Sequence, residues 1–196
     1  MVIDINTLNN GPTLPDPLCK EGAIEKAVVS ELKEKGMTVS TAESCTGGLV
    51  SKRITAVSGS SSVFELGVTS YSGRIKNKIL GVNADTIDRL GTVSAPVAAM
   101  MADGVRRLAN ADLGIATTGV AGDSFEGKPT GTVYVALADE KKVYIRRLAI
   151  NKSADEREEI RQIASTHALD ILRLYLAQNN DLLKSGVPVA EVDENL

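Results

Sequence analysis

One stretch of the sequence decides the fold: Thr41-Ala42-Glu43-Ser44-Cys45-Thr46-Gly47-Gly48. Just before its turn residues, apolar and polar side chains alternate over residues 37–42, which is typical of a short β-strand. Residues 49–57 instead carry their apolar side chains at helical spacing. The stretch therefore predicts a strand that passes through a turn of small residues directly into a helix.

The turn between this strand and this helix is a candidate reactive site. A helix N-terminus presents unpaired backbone N–H groups and the positive end of the helix dipole, and both stabilise an anion or a developing oxyanion. Ser44, Cys45 and Thr46, which all carry nucleophilic atoms, lie at this point. The same residues also suit an ordinary capped helix, because Ser and Thr are common N-cap residues and Gly permits a tight turn. The turn alone leaves both interpretations open.

The composition predicts one soluble domain and excludes several classes of protein. A chain of 196 residues, of which 43% are apolar, suits one well-packed domain and is too short for two. Its formal charge of −3 and its scattered basic residues do not suit a nucleic-acid backbone, so no direct nucleic-acid partner is expected. No segment has the apolar length of a membrane span, and the N-terminus lacks a signal-peptide pattern. We therefore expect a cytoplasmic protein without a membrane partner.

The cysteines and the histidine argue against a disulfide framework and against a zinc site. Cys19 and Cys45 are far apart in the sequence, and His167 is the single histidine, so no Cys/His cluster is expected. His167 lies between Ile163 and Ile171 on an apolar helical stripe, which is more typical of a hydrogen-bonded core residue than of a catalytic base. We predict neither a metal nor an organic cofactor.

The distribution of Asn, Gly, Pro and acidic residues divides the chain into three parts. Turn-forming residues predict that residues 1–19 are a surface leader or linker. Polar and acidic residues predict an extended or disordered tail over 179–196. The folded domain then spans 20–178, and its alternating helical and strand patterns predict an α/β fold.

Two parallel strands are predicted to bring Ser44 close to Tyr71. The segment 63–71 is rich in strand-forming residues and follows the helix after Ser44. A strand, a helix and a second strand joined over this length imply a right-handed crossover between parallel strands. Because parallel strands end at the same edge of a sheet, Ser44 and Tyr71 are expected to face one crevice.

The second half of the domain predicts more strands and a further loop at that edge. Small residues over 113–118 predict a third strand that runs into Gly119-Val120-Ala121-Gly122. Such a turn can bring N–H groups to a phosphate, although Gly-x-x-Gly is also common in ordinary loops. Segments 132–138 and 143–150 flank a charged turn and predict an antiparallel hairpin. A capping box at Ser153 begins the last helix.

A serine nucleophile in this chain needs a base other than His167, whose apolar stripe argues against a Ser-His-Asp site. A lysine can act as a base where a dry site lowers its pKa, and a tyrosine can relay the proton. Tyr71 and Lys76 supply both groups after the strand predicted to lie beside Ser44. The alternative, which these residues leave open, is that Lys76 belongs to a solvated helix face.

Several motifs, in order and at matching spacing, make the chain resemble the CinA C-terminal domain family. They are Thr41 to Gly48, Gly59-Ser60-Ser61, Tyr71-Ser72 with Lys76, Leu80-Gly81-Val82, Gly91-Thr92-Val93-Ser94, Thr118-Gly119-Val120-Ala121-Gly122 and Pro129-x-Gly131-Thr132-Val133. The resemblance covers about residues 20–178, and the number of motifs makes it specific. The family includes the PncC-type nicotinamide-nucleotide amidases.

The resemblance implies both a fold and a reaction. The fold is a three-layer α/β/α sandwich with a mixed, partly parallel sheet, and a homodimer is the expected assembly. The reaction is hydrolysis of nicotinamide mononucleotide to nicotinate mononucleotide and ammonia, within NAD metabolism. The catalytic residues that the resemblance implies are Ser44 as the nucleophile, assisted by Tyr71 and Lys76. Cys45 lies next to Ser44 in the sequence and is the alternative nucleophile if its thiol ionises.

Substrate binding is predicted for three further groups of residues. N–H groups near Cys45, Thr46 and Gly47 are expected to stabilise the oxyanion. The third strand and its glycine turn are expected to hold the nucleotide. The last helix carries Arg157 and Arg161, which resemble paired arginines of the family and suit either a phosphate or a salt-bridged helix face. The predicted binding residues are Cys45, Thr46, Gly47, Thr118, Gly119, Ala121, Gly122 and Arg161.

The chain departs from the family pattern after the glycine turn. Asp123-Ser124-Phe125-Glu126-Gly127 stands where the family has a proline and more glycines, and Gly73 stands where an asparagine is frequent. A bulkier, acidic loop near a phosphate weakens nucleotide binding. The alternative function is therefore a pyridine-nucleotide-binding module with little or no turnover. A DNA-competence role rests on the family name alone and has no basic patch to support it. Longer CinA proteins carry an N-terminal molybdopterin-binding-like domain, whose activities are not expected here.

Overall fold

The structure is a computed structural model, and it describes residues 2–6 and 22–177. The predicted tail at 179–196 lies outside the described residues. The strands are β1 (Val2–Asn6), β2 (Val39–Glu43), β3 (Phe64–Thr69), β4 (Leu113–Gly119), β5 (Thr132–Ala138) and β6 (Val143–Ala149). The helices are α1 (Ala23–Lys35), α2 (Leu49–Thr55), α3 (Gly73–Leu80), α4 (Ala84–Leu90), α5 (Ala95–Ala109) and α6 (Arg157–Leu176).

The strands form one mixed sheet in the order β1-β6-β5-β4-β2-β3. Strand β2 lies between β3 and β4 and is parallel to both, and β4, β5 and β6 continue the sheet in antiparallel pairs. All of β2 is buried, as expected for a parallel strand covered on both faces. The predicted parallel pair and the predicted hairpin are both confirmed.

Helices cover both faces of the sheet, so the fold is the expected three-layer α/β/α sandwich. On one face α1, α2 and α6 pack around Ile24, Ile54 and Leu172. On the other face α3, α4 and α5 pack around Leu80 and Met101. None of the helices among the described residues is both long enough and apolar enough to cross a membrane.

The structure adds a strand within the segment that the sequence predicted to be a leader or linker. Strand β1 pairs in parallel with β6 and forms one edge of the sheet. The prediction followed the Asn, Gly and Pro residues at positions 9–17 and overlooked the strand-forming residues Val2, Ile3 and Ile5 before them. Residues 7–21 lie outside the described part of the chain.

The edge of the sheet where β2, β3 and β4 end positions the candidate site. Ser44 comes directly after β2, and Tyr71 comes two residues after β3. The backbone pairing of β2 and β3 continues one residue past the end of β3, because the Ser70 N–H donates to the Glu43 carbonyl at 2.8 Å. The predicted convergence of Ser44 and Tyr71 therefore follows directly from the parallel pairing.

Candidate active site

A crevice of about 420 Å³ opens at the carboxyl ends of the three parallel strands. Its volume is within the range of small-molecule sites. Both Ser44, which is half-buried, and Tyr71 line it. Its other walls include Cys45, Gly119, Ala121, Gly122, Phe125 and Arg157. The structure thus brings the predicted nucleophile, the predicted tyrosine and the glycine turn to one cavity.

Glu43, the last residue of β2, holds the turn that carries Ser44. Its buried carboxylate accepts five hydrogen bonds, from the N–H groups of Gly48, Val50 and Ser51 and from the hydroxyls of Thr46 and Ser51. These bonds cap α2 and use the N–H groups at its N-terminus. The capped-helix interpretation is therefore correct for α2, because the N–H groups of Gly48, Val50 and Ser51 are bonded to Glu43 and are not available to a ligand.

Two backbone N–H groups in the turn have no backbone partner among the described residues, and these are the N–H groups of Cys45 and Thr46. The backbone N–H of Ser44 donates to the Thr117 carbonyl at 2.9 Å, and the backbone N–H of Gly47 donates to the Ser44 carbonyl at 3.1 Å. The tight turn itself uses the N–H of Gly47, and Thr46 is fully buried and does not line the crevice, so Cys45 remains as the predicted oxyanion donor that lines it. An amide directly after a nucleophile suits a developing oxyanion.

The amine of Lys76 is fully buried at the same edge of the sheet. Its Nζ donates to the Ser70 carbonyl at 2.6 Å, and Ser70 is itself paired with Glu43, the residue before Ser44. The solvated-face alternative is therefore wrong for Lys76, although it describes Lys78, which is exposed. The hydroxyl of Ser44 has no hydrogen bond to the amine in this structure.

Burial has opposite consequences for the charges of Lys76 and Cys45. Burial lowers the pKa of Lys76 from 10.5 to about 8, while an ionised Cys45 and the charge of Glu126 would each favour its protonated form. A fraction of the amine is therefore neutral near neutral pH, as a general base requires. Burial raises the pKa of the Cys45 thiol to about 11, against the opposing effect of the Lys76 charge. The thiol stays protonated at neutral pH, so Cys45 does not suit the role of nucleophile.

Tyr71 is exposed, and its phenol is bonded to an arginine rather than to Ser44 or Lys76. Its side chain is 63% exposed, and its hydroxyl accepts a hydrogen bond from Arg157 at 2.9 Å. Because the phenol oxygen is the acceptor in this bond, its own proton stays available for a second partner in the crevice. The structure therefore supports a polarising or proton-relaying tyrosine only after a substrate or water joins these groups.

The predicted binding residues fall into two sets. Cys45, Gly119, Ala121 and Gly122 line the crevice, whereas Thr46, Gly47, Thr118 and Arg161 do not. Thr46 and Thr118 are buried, and their hydroxyls bond within the protein, that of Thr118 to the Thr92 carbonyl at 2.8 Å. These two threonines therefore stabilise the loops around the crevice and do not line it. The direction of each side chain decides whether a predicted binding residue lines the crevice.

The arginine that lines the crevice is Arg157, and the choice of Arg161 as the substrate-binding arginine is not supported by its position. Arg161 donates to the Thr46 carbonyl at 2.9 Å and pairs with Glu158. Arg157 lies close to the glycine turn, where a Cβ on Gly122 would be only 3.2 Å from its guanidinium. The two arginines are one helical turn apart, so the sequence pattern could not separate their roles.

His167 is a core residue, as its apolar stripe predicted. Its side chain is buried, and its Nδ1 lies 3.1 Å from a guanidinium nitrogen of Arg146. It does not line the crevice. Across the described ranges, no three His, Cys, Asp or Glu side chains are grouped as metal ligands.

These features define a class of protein. It is a three-layer α/β protein with a serine turn after the middle one of its three parallel strands and a buried lysine on the helix that follows the next strand. The family model of the CinA C-terminal domain matches residues 21–176. The chain belongs to the CinA C-terminal domain family.

Relatives in sequence and in structure agree with this assignment. A CinA-like protein of Geobacter sulfurreducens is 44% identical over 167 residues, which are 83% of this chain and 40% of that protein. A CinA superfamily protein from Escherichia coli superposes with a TM-score of 0.78 at 29% identity, covering 85% of this chain and 94% of that one. A competence/damage inducible protein from Agrobacterium tumefaciens gives 0.75 at 31% identity, covering 85% and 99%. The chain spans about two-fifths of the length of the curated relatives it matches.

Proposed function

We propose that this chain is an amidohydrolase that converts nicotinamide mononucleotide to nicotinate mononucleotide and ammonia, with Ser44 as the nucleophile. The observation that carries the proposal is the fully buried amine of Lys76, whose pKa is lowered to about 8 next to the strand end that presents Ser44. A buried amine of this kind is unfavourable for stability and suits a base. The choice of substrate rests on the family resemblance.

The first half-reaction uses the neutral amine of Lys76. The hydroxyl of Ser44 attacks the carboxamide carbon, and its proton passes to Lys76 either directly or through Tyr71. The carbonyl oxygen becomes an oxyanion, to which the N–H group of Cys45, a residue that lines the crevice, is a suitable donor. When the tetrahedral intermediate collapses, the protonated lysine returns the proton to the departing nitrogen, ammonia leaves, and an ester to Ser44 remains.

The second half-reaction reverses these roles with water. Lys76 removes a proton from a water molecule that attacks the ester carbon, and the intermediate collapses to the carboxylic acid and free Ser44. The proton returns to the serine oxygen, so the lysine is neutral again after each turnover. No metal and no organic cofactor take part in this scheme.

Two features of the crevice suit the phosphate of a nucleotide. Arg157 supplies a guanidinium, which binds phosphate oxygens through charge-assisted hydrogen bonds. The turn at 119–122 lines the same cavity, and Gly122 has no side chain to crowd the guanidinium of Arg157. We further propose, on the family resemblance alone, that the protein acts in the cytoplasm as a homodimer on free nucleotides.

Ammonia release from nicotinamide mononucleotide tests the reaction. Ser44→Ala and Lys76→Met are each expected to lose about 10³-fold or more in kcat, because each removes one member of a unit that acts together. Ser30→Ala, which alters an exposed serine on α1, is the matched control and is expected to retain parent activity. A Ser44→Ala protein that releases ammonia at the parent rate would exclude this mechanism.

A nucleotide-binding module without turnover is the second candidate. It is favoured by the bond between Tyr71 and Arg157 and by the bond between Lys76 and the Ser70 carbonyl, because neither assisting group contacts Ser44. Calorimetric binding of nicotinamide mononucleotide with no ammonia after long incubation would support it. Ready turnover that depends on Ser44 would exclude it.

A further inference from the structure

The loop that departs from the family pattern has a defined and strained conformation. Phe125 and Lys128 exchange two backbone hydrogen bonds of 3.0 and 2.9 Å, which enclose a turn of two residues. Both turn residues have positive φ, +50° at Glu126 and +71° at Gly127. A positive φ is ordinary for glycine but unfavourable for glutamate, so the surrounding structure must hold Glu126 in place.

Hydrogen bonds to the segment before α5 hold the side chain of Glu126 in place. Its carboxylate accepts a hydrogen bond of 2.9 Å from the Thr92 hydroxyl and one of 3.2 Å from the Val93 N–H. Gly91 leaves the space for this carboxylate, since a Cβ there would lie 2.3 Å from a carboxylate oxygen. Partial burial raises the pKa of Glu126, but the hydrogen bonds from Thr92 and Val93 outweigh it, so the net pKa is lowered. The loop is therefore pinned to the segment before α5.

The pinned turn presents the ring of Phe125 to the crevice. Phe125 lines the same cavity as Ser44 and is 54% exposed, although it is one of only two phenylalanines in the chain. The other, Phe64, packs against the core. The aromatic pair found among residues 22–177 is Tyr144 with Tyr175, so Phe125 has no aromatic partner within that range. A strained loop that keeps an apolar ring exposed at a cavity is typical of a ligand contact.

We propose that Phe125 stacks on the planar ring of a nucleotide bound in the crevice, and that this contact makes the chain select ring-bearing ligands. Arg157 lies in the same cavity and gives such a ligand a cation for its phosphate. The identification of the ring as the pyridine of a nicotinamide nucleotide rests on the proposed function. The loop 123–127, which the sequence predicted to weaken nucleotide binding, then carries a specificity-determining residue.

The acidic side chain of this loop does not oppose the contact. The carboxylate of Glu126 is bonded to Thr92 and Val93, and Glu126 is not among the residues that line the crevice. The remaining acidic group at the crevice is that of Asp123. The loop therefore offers a ligand an apolar ring with one carboxylate beside it, rather than two carboxylates.

Two ligands with the same sugar phosphate, one with a ring and one without, test the inference by calorimetry. The probes are nicotinate mononucleotide, which contains the ring, and ribose 5-phosphate, which lacks it. Phe125→Leu keeps an apolar side chain and is expected to weaken binding of the mononucleotide about tenfold, because stacking on a base contributes on that order. Binding of ribose 5-phosphate to Phe125→Leu is expected to be unchanged. Phe125→Tyr, which keeps an aromatic ring, is expected to bind the mononucleotide like the parent.

The matched control is Leu108→Ala, which removes another exposed apolar side chain, 52% exposed, on α5 and away from the crevice. It is expected to bind both probes like the parent. Equal affinity of the parent and Phe125→Leu for the mononucleotide would overturn the inference. So would an equal loss for both probes, or a parent that binds no ring-bearing nucleotide.

The test of the stacking contact and the test of the amidase reaction can give different answers, because binding and ammonia release are measured separately. A parent protein that binds nicotinamide mononucleotide in a Phe125-dependent way but releases no ammonia excludes the amidase and supports the stacking contact. Ammonia release with the same KM in the parent and in Phe125→Leu supports the amidase and excludes the stacking contact.

Discussion

The burial of the Lys76 amine lowers the stability of the protein and also gives the amine a pKa that suits a general base. Desolvation disfavours its charged form, so the folded chain holds fewer protons at this site than the unfolded chain does between about pH 8 and pH 10.5. The free energy of unfolding therefore rises with pH across that window on account of this residue. The same shift brings the neutral amine within reach of physiological pH, which a base needs.

At the scale of one residue, the pH dependence of ammonia release should report the charge of Lys76. We expect kcat/KM to rise with pH and to level off above an inflection near 8, because only the neutral amine accepts the serine proton. The negative charge of Glu126 raises the pKa of Lys76, so Glu126→Gln is expected to move the inflection to lower pH. The measurement is kcat/KM across a pH series for both proteins.

The control for this prediction is Glu65→Gln, which removes an equal charge from an exposed position on β3, away from the crevice. It should leave the inflection where it is in the parent. An inflection that moves upward in Glu126→Gln, or a flat profile in the parent, would contradict the assignment of Lys76 as the base.

At the scale of one element, α2 depends on a carboxylate that lies outside it. The helix has seven residues, which is too short to be stable without capping and packing. Its cap is the carboxylate of Glu43 at the end of β2, and this arrangement joins the strand, the Ser44 turn and the helix into one unit. The position of the nucleophile and the stability of α2 are therefore coupled.

Removal of this cap should affect stability and activity together. Glu43→Ala removes the acceptor of three backbone N–H groups and two hydroxyls, and we expect it to lower the free energy of unfolding by about 3 kcal/mol. Glu43→Gln is expected to be destabilised as well, because its amide NH₂ would face N–H donors. Urea unfolding and ammonia release would measure both effects. Glu140→Ala, in the exposed β5–β6 turn, is the control, and equal stability of the Glu43 and Glu140 variants would refute the coupling.

At the scale of the whole molecule, a buried ion pair joins the sheet to the longest helix. Arg146 on β6 donates to Asp170 on α6 at 2.9 Å, and both side chains are buried. His167 contacts the same guanidinium, and Arg173 pairs with the other oxygen of Asp170. Loss of one partner of such a buried pair is strongly destabilising, so this cluster links the stability of the sheet at β6 to the docking of α6.

The single histidine makes this cluster sensitive to acid. Burial, and secondly the charge of Arg146, lowers the pKa of His167 from 6.5 to about 4, against the opposing effect of Asp170. Between those values the unfolded chain binds a proton that the folded chain does not, so stability falls as the pH decreases through this window. The stability difference between the parent and His167→Gln should shrink by up to about 1.4 kcal/mol per pH unit in that range.

Denaturant unfolding of both proteins at neutral pH and at mildly acidic pH measures this effect. Subtracting the two curves removes the contribution of the carboxylates, which both proteins share. A difference that is constant with pH would show that His167 keeps its ordinary pKa in the folded protein.

The sequence by itself determined the elements that depend on local patterns. The turn after residue 43, the β5–β6 hairpin and the capping box at Ser153 were predictable because periodicity, turn residues and caps act over a few positions. The parallel pairing of β2 with β3 was also predictable, since a single helix between two strands leaves one favoured handedness. These local rules were enough to bring Ser44 and Tyr71 to one edge.

Only the tertiary structure decided which side chains are buried beside the crevice and which side chains line it. Lys76 is buried while its neighbour Lys78 is exposed, and Arg157 lines the cavity while Arg161 binds the turn. The two lysines lie on the same helix, and so do the two arginines. The members of each pair differ in which neighbouring element the side chain contacts. Those neighbours lie far away in the sequence, because burial and hydrogen-bond partners arise from packing between elements rather than from spacing along one of them.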